Sequence, residues 1–189
     1  MKKKSSNINS KYLKEFFSVL FGVMFALFID TLWSDHEHQE LAEKAKRDIL
    51  FEVQDNRNQI DSIIIEHKNT KELIDQYLEV LDKKRDTIDA EGEVTLKFEL
   101  IEDTAWETAK ISGAVTYMKL EELSKFNSLH KLQTIYMNNM EKFMEHSFTG
   151  MQLLSEKEKL IQMGYFIQSS ITTEKQLIKK YEELLDEKK

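Results

Sequence analysis

The sequence predicts an all-α protein, in which one N-terminal transmembrane helix is followed by an antiparallel bundle of three long helices and one short helix. The 189 residues include no proline and only five glycines, too few for the many turns of a compact β protein. Residues 16–29 carry no charge, and later apolar residues recur every three or four positions, which is the period of a helix face.

Residues 12–33 form the predicted transmembrane anchor. The uncharged run is short for a span, but Tyr12 and Trp33 extend it to 22 residues, or roughly 33 Å of helix, enough to cross a bilayer. We expect these two rings at the membrane interfaces, where amphipathic aromatic residues are enriched. No pair of small residues follows at signal-peptidase spacing, which predicts an uncleaved anchor. The alternative, an apolar helix inside a soluble core, would need cover on every side.

Positive charge predicts the orientation of this anchor. Five lysines precede the apolar run, whereas residues 34–43 contain neither Lys nor Arg. The topology residues are Lys2, Lys3, Lys4, Lys11 and Lys14. This asymmetry predicts a basic tip, residues 1–11, in the cytoplasm and a helical domain, residues 34–189, outside it. In a bacterium the location is the inner (plasma) membrane, with the domain extracytoplasmic.

Small residues recur every four positions within the anchor, at Ser18, Gly22 and Ala26, and Asp30 continues the series. This spacing lines one helix face and is typical of close helix–helix packing in membranes. We therefore expect a homo-oligomer or an unidentified protein partner in addition to the lipid bilayer. The alternative is chance, because small residues are common in membrane helices.

The first bundle helix is predicted between residues 34 and 84, which contain no proline or glycine. Its stripe advances by three or four residues at every step and includes three polar members. The stripe comprises Ala42, Ala45, Ile49, Val53, Asn56, Ile60, Ile63, His67, Thr70, Ile74, Tyr77 and Leu81. Whether this helix continues the anchor without a break stays open at this point.

A charged segment, residues 82–93, is predicted to be a loop. Residues 94–100 alternate apolar and polar side chains, but no second strand is evident, so an extended connection is expected. Thr104 and Glu107 have the spacing of a capping box that opens a short helix, and Gly113 is placed to end it.

Two more long helices complete the predicted bundle. One runs from about Lys119 to Phe148, and Gly150 marks the turn. Its inner stripe is Leu129, Leu132, Tyr136, Met140 and Phe143. The last helix carries a stripe that Lys157 and Glu174 interrupt and that Thr172 and Thr173 are placed to bend. That stripe comprises Leu153, Leu160, Gly164, Ile167, Ile171, Ile178, Tyr181 and Leu185.

These features together resemble a family of uncharacterised bacterial single-pass membrane proteins. The resemblance covers most of the chain and is carried by short motifs. They are the basic stretch 11–14, the Gly22-Val-Met-Phe-Ala26 step, Trp33, the charged helix from Glu37 onward, Thr104-Ala-Trp-Glu-Thr-Ala109, Ser112-Gly113-Ala114 and Tyr136. It implies an anchor followed by a helical domain of unknown function, and no catalytic residue comes with it. The acidic Asp30 departs from the expected pattern.

Composition excludes several classes of function. The net charge is −7, and after Lys14 there are 22 basic against 34 acidic residues, a body that repels nucleic-acid phosphates. Without cysteine there is no disulfide, thiolate nucleophile or Cys-type zinc site. Catalytic triads, phosphate loops and paired helical histidines are also missing, so neither an enzyme nor a cofactor is expected.

The remaining candidate sites each have a simpler structural interpretation. The polar cluster at 35–38 offers imidazole and carboxylate groups, but only Asp35 and His38 have ligand spacing, which favours a solvated turn. His67 lies on the apolar stripe and is expected to be a hydrogen-bonded core histidine. His146 lacks the spacing of a dimetal site, and Trp106 is expected to wedge the short helix against the bundle. The methionines at 137, 140, 144 and 151 suit core filling better than a peptide groove.

The sequence therefore favours a membrane-tethered helical interaction or scaffold protein. One alternative is a membrane-active effector that oligomerises through its anchor. A second alternative, a ligand-sensing bundle, is disfavoured because the expected cytoplasmic tip is short.

Overall fold

The structure is a computed structural model that describes residues 7–82 and 94–186. Four α-helices are present there: α1 (Asn7–Asp82), α2 (Thr104–Ile111), α3 (Leu120–Thr149) and α4 (Glu156–Asp186). Short 3-10 turns at Ala114–Tyr117 and Met151–Leu153 lead into α3 and α4. The described ranges contain no strand, so the all-α prediction is confirmed. Most of the loop predicted at 82–93 lies outside the described residues.

The anchor is not a separate element. Helix α1 runs unbroken for 76 residues, roughly 114 Å, and includes both the predicted anchor and the first bundle helix. Beyond Gly22 no proline or glycine interrupts it. Side chains one turn apart also pair across the junction: the Trp33 indole N–H donates to Glu37 Oε1 at 2.9 Å, and His36 lies 3.6 Å from Glu40.

Helix α4 packs antiparallel to α1. Residue numbers rise along α4 as they fall along α1, because Lys157 pairs with Asp82, Glu174 contacts His67, and Glu182 approaches Arg57. Helix α4 continues through the threonines at 172 and 173, whose hydroxyls donate to the carbonyls of Gln168 and Ser169.

Helix α3 is also antiparallel to α4. His146, near the C-terminal end of α3, contacts Gln162 near the N-terminal end of α4, and Gln133 contacts Tyr181 near the C-terminal end of α4. We call the end of the bundle near Asp82 the upper end and the end near Trp33 the lower end. It follows that α1 and α3 run in the same direction. The antiparallel prediction holds for α4 against α1 and against α3, but not for α1 against α3. Residues 94–117 run back along α1 in the opposite direction and connect it with α3.

Residues 94–103, here called the strap, descend along α1 without regular secondary structure. The backbone at Lys97 bonds to His67, and the backbone at Glu102 bonds to Asn56. The apolar side chains of the alternating pattern, Val94 and Leu96, pack against the cluster of Ile64, Ile74, Ile167 and Ile171. The predicted extended connection is therefore confirmed, and its alternation reflects one face laid on the bundle.

The predicted core stripes are largely confirmed. On α1 the residues from Ala42 to Ile74 that were placed on the stripe are buried, with Ala45 and Thr70 only partly so. The polar members Asn56 and His67 are buried as completely as their apolar neighbours. Leu153 is a correction: it is 90% exposed, because the 3-10 turn at Met151–Leu153 turns it away before α4 begins.

The capping-box prediction for α2 is wrong. Its N-cap is Asp103, which makes no side-chain cap bond, and Glu107 pairs instead with Lys110 at 2.6 Å. The cap comes from α1, where Glu52 Oε2 accepts the Ala105 backbone N–H at 2.8 Å. Burial raises the pKa of Glu52, and this hydrogen bond opposes the rise. Gly113 ends α2 as predicted, with φ of 76°, a left-handed conformation that favours glycine.

Replacing Asn56 with Ala is expected to lower the free energy of unfolding by about 2–4 kcal/mol. The Asn56 side chain makes two hydrogen bonds to the Glu102 backbone, at 2.6 and 2.9 Å. Its loss leaves these partly buried peptide groups without that partner. Urea unfolding followed by circular dichroism in detergent measures the change. Asn58→Ala is the control, because Asn58 is exposed and its side chain accepts a hydrogen bond from Gln54 on the same helix. Equal effects of the two substitutions would contradict the role given to Asn56.

Candidate functional site: the apolar part of α1 and the pinned strap

The lower part of α1 presents apolar side chains on every side. All described side chains from Tyr12 to Trp33 are exposed, and none packs against the bundle. The large apolar ones are Tyr12, Leu13, Phe16, Phe17, Val19, Leu20, Phe21, Val23, Met24, Phe25, Leu27, Phe28, Ile29, Leu32 and Trp33. In the described residues this is the one helix long and apolar enough to span a membrane.

The two predicted interface residues lie at the ends of this surface. Tyr12 and Trp33 are 21 residues apart, roughly 32 Å along the axis, which matches a hydrocarbon core of about 30 Å. The polar edge of the Trp33 ring faces the bundle end of α1, because its indole N–H donates a hydrogen bond to Glu37 one turn further along the helix. Within this apolar surface, the Thr31 hydroxyl donates to the Leu27 carbonyl, so this polar group is satisfied by its own helix.

The predicted packing residues Ser18, Gly22 and Ala26 lie in this exposed surface, as does Asp30. A Cβ added at Gly22 would meet no atom within 4 Å. Of the topology lysines, Lys14 is exposed and Lys11 lies in the first turns of α1. The other three, Lys2, Lys3 and Lys4, lie outside the described residues.

The junction with the bundle comes just above Trp33. Close to this junction, the His38 ring stacks on Tyr117 with centroids 3.9 Å apart and planes 9° apart. One turn further on Ala42 is buried, and Lys46 pairs with Glu122 at the start of α3. The cluster 35–38 is thus divided among separate contacts, since His36 pairs with Glu40 on the exposed side.

Buried polar side chains hold the strap in the upper part of the bundle. His67 Nδ1 lies 2.7 Å from Glu174 Oε1, and its Nε2 lies 2.9 Å from the Lys97 carbonyl oxygen. The side chains of His67 and Glu174 are both fully buried. Because a carboxylate and a carbonyl both accept, the imidazolium form of His67 satisfies the two bonds at once. The expected core histidine is confirmed, and its partner is the residue that interrupts the α4 stripe.

The charge state of His67 follows from opposing effects. Burial alone lowers its pKa, but the hydrogen bond and negative charge of Glu174, with smaller help from Lys97 and Glu66, outweigh burial and raise it. Nearby, burial and the Glu174 charge raise the pKa of the Tyr136 hydroxyl well above its usual value. Lys97, whose carbonyl accepts from His67, extends its own ammonium to Glu66 at 3.3 Å.

Aromatic rings close the strap around this pair. Phe98 lies against His67, Phe143 and Phe166, with ring centroids 5.7 to 6.4 Å apart. Phe143 and Phe166 stack on each other at 3.9 Å. These rings exclude water from the His67–Glu174 pair, which strengthens its electrostatic attraction.

One mixed cluster in the described residues has the spacing of a metal site: Asp103, Glu107 and His130, whose ligand atoms lie within 4.8 Å of one another. Sequence reasoning missed it because His130 is far from the two acids in the chain. The Lys110 ammonium already contacts Glu107 at 2.6 Å and lies over the Trp106 ring. A metal ion would have to displace that cation, so the cluster is accounted for as an ion-pair network.

Trp106 wedges α2 against the bundle as expected. It is buried in the main cluster, with Phe126 and His130 as ring neighbours. Of the methionines, Met140 and Met151 are buried and Met137 is partly buried, which agrees with core filling, whereas Met144 is exposed.

Comparison of the chain with protein-family models, with curated proteins and with solved structures finds no match in any of the three.

Raising the pH is expected to destabilise the bundle through His67. A histidine whose pKa is raised by folding contributes fully below its unfolded pKa of about 6.5, and the contribution is lost as pH rises through the folded value. The loss is about 1.4 kcal/mol for each unit between the two pKa values. Urea unfolding across this range measures it.

The control for this experiment is the double substitution His67→Leu with Glu174→Leu. It removes both members of the pair, leaves no buried charge unpaired, and fills the site with apolar atoms. Its stability should change less with pH over the same range. Superimposable profiles for the two proteins would show that the pair does not titrate as described.

Proposed function

We propose that this chain is a membrane-tethered helical scaffold with no catalytic role. The observation that carries the proposal is the apolar surface of residues 12–33, exposed on all sides of a helix that continues into a folded bundle. In water such a surface is strongly unfavourable, and a lipid bilayer covers it without a protein partner. A core helix of a soluble domain would be buried, and this one is not.

The orientation in this proposal places the N-terminus in the cytoplasm and the bundle outside it. Its support is the lysine excess before the apolar run and the lack of Lys and Arg in residues 34–43. A bacterial inner membrane is the location that the family resemblance implies. The acidic bundle then faces the extracytoplasmic side, where it has no attraction for nucleic acid.

A continuous α1 gives the scaffold a fixed reach. Asp82 lies 49 residues beyond Trp33, so the far end of the bundle stands roughly 74 Å above the interface if α1 is normal to the membrane. Because α4 packs along α1 and α2 covers another part of it, this part of the helix is braced rather than a free stalk. The surface offered to a partner is therefore held at a defined height.

The proposed partner within the membrane is a second copy of the chain. At about 100° per residue, Gly22 lies about 180° from Ile49 and His67, which face the core. The same rotation places Phe51, which is 71% exposed, within about 20° of Gly22. A second α1 approaching Ser18, Gly22 and Ala26 would thus meet the outer side of the bundle and displace none of its helices.

Lysines introduced into the apolar surface should release the protein from membranes. The double substitution Phe21→Lys with Phe25→Lys places two charges near the middle of the span, at about 2.5–3.5 kcal/mol each. The unaltered chain should stay in the pellet after alkaline carbonate extraction, and this variant should not. Phe51→Lys is the matched control, because Phe51 is as exposed as Phe21 but lies in the bundle. Soluble wild-type protein would refute membrane tethering.

Gly22→Ile should weaken self-association, because the added side chain keeps the two helix backbones apart. A membrane two-hybrid assay or crosslinking in detergent measures the dimer fraction. Val23→Ile is the control: it adds one methylene to a neighbouring side chain, about 100° around the helix. If both variants associate like the wild type, the proposed face is wrong, although tethering is unaffected.

A further inference from the structure

Two turns of the bundle expose large apolar side chains. The lower turn, residues 111–120 between α2 and α3, exposes Ile111 by 86% and Leu120 by 81%, with Tyr117 partly covered by His38. The upper turn, residues 148–153 between α3 and α4, exposes Phe148 and Leu153 to a similar degree. Isolated exposed apolar residues are common on protein surfaces, so exposure alone assigns no role to either turn.

Height along α1 distinguishes the two turns. Tyr117 stacks on His38, which lies only five residues, roughly 8 Å, beyond Trp33. The upper turn lies near the Asp82–Lys157 pair, 44 residues or roughly 66 Å further along the helix. Headgroups add roughly 5–8 Å on each side of the hydrocarbon core. Of the two turns, only the lower one comes close to the level of the lipid headgroups, and it does so at Tyr117.

We propose that the lower turn is a second membrane contact, in which Ile111, Tyr117 and Leu120 enter the headgroup–acyl boundary of the bilayer that holds α1. This inference rests on the proposed membrane tethering. The occupant is lipid because Tyr117 contacts α1 only five residues beyond the end of a helix surface that is apolar on every side. Tyrosine is a residue that membrane interfaces favour, and isoleucine and leucine suit the acyl boundary.

Charges beside the turn do not select anionic lipid. The acidic residues that open α3 are paired, Glu122 with Lys46 and Glu121 with Lys125. Lys119 is the exposed cation next to Leu120. With both signs present, burial of apolar surface is the driving force, and the contact should form on zwitterionic membranes.

The contact would fix how the bundle stands on the membrane. With the anchor as its one membrane contact, the whole molecule would be free to rotate about the α1 axis and to tilt in the bilayer. His38, which carries the turn, lies about 160° around α1 from Gly22. The lower turn therefore touches lipid on the side of α1 away from the proposed dimer face, so both contacts can form together.

Single-cysteine labelling tests the proposal, because the chain contains no cysteine of its own. Leu120→Cys in the full-length protein is labelled with the fluorophore NBD and reconstituted into phosphatidylcholine vesicles. Some lipids carry a nitroxide quencher near the top of the acyl chain. Val23→Cys reports the anchor, and Leu153→Cys, an equally exposed leucine of the upper turn, is the matched control.

We expect labels at positions 23 and 120 to lose fluorescence when nitroxide lipid is included, and the label at 153 to keep it. Quenching at 23 without quenching at 120 would overturn the lower-turn contact and leave the tether intact. No quenching at 23 would overturn both. Equal quenching at 120 and 153 would also overturn the inference, since it would reflect non-specific collapse of the bundle onto lipid.

Discussion

One helix, α1, meets two different surroundings along its length, and this constraint organises the molecule. Its lower part is apolar around the whole circumference, whereas its upper part is apolar along a single stripe that packs on α2, the strap and α4. The change falls within residues 34–41, which are mainly polar and only partly covered. Because no proline or glycine lies there, the helix continues, and the bundle is attached to the apolar part without a hinge.

The strap imposes the second constraint. A helix satisfies its own backbone groups, but an extended segment packed between helices must find partners elsewhere. They are side chains from α1 and α3: His67 for the Lys97 carbonyl, Asn56 for both backbone groups of Glu102, and Gln133 as a weaker third partner. This explains why an otherwise apolar stripe on α1 carries buried polar residues. These bonds also fix the register, since a slip by one residue would leave each of them without a partner.

The buried pair of His67 and Glu174 links the strap, α1 and α4 at one point. A buried ion pair is a costly way to gain stability, and apolar residues of similar volume often do as well. In this protein the pair aligns α4 against α1 through Nδ1 of His67, and Nε2 of the same ring remains to bond the strap. We therefore expect the pair to contribute more to the arrangement of the bundle than to its net free energy of unfolding.

The helices of this protein could be predicted from the sequence because their signal is local. Spacing of apolar residues gave α3 and α4 to within a few residues, and Gly113 was placed correctly by its conformational freedom. The failures depend on distant contacts. Thr104 and Glu107 have capping-box spacing, but Glu52, far away in the chain, caps α2. Glu174 looked like an interruption, because its partner lies 107 residues away. The turn above Gly150 exposed Leu153, which spacing alone had placed inward.

The apolar segment at 16–29 and the continuity of α1 also differ in how far the local sequence predicts them. Hydropathy along 16–29 signals a span directly, whereas a helix through the polar residues 34–41 depends on the tertiary contacts that begin at His38 and Ala42. The lower turn is a third case. Nothing in its own sequence places it beside the lower part of α1, and its position follows only from the stacking of Tyr117 on His38.

The continuity of α1 through the junction is tested most directly by a distance across it. Spin labels at Val19→Cys and Asp48→Cys, both exposed positions, flank the junction in a chain without native cysteine. Pulsed electron paramagnetic resonance in nanodiscs, with excess unlabelled protein, isolates the distance within one chain. An unbroken helix of 29 residues predicts a single narrow distribution near about 44 Å. A broad or much shorter distribution would mean that α1 bends or breaks between lipid and bundle, and the braced tether would be refuted.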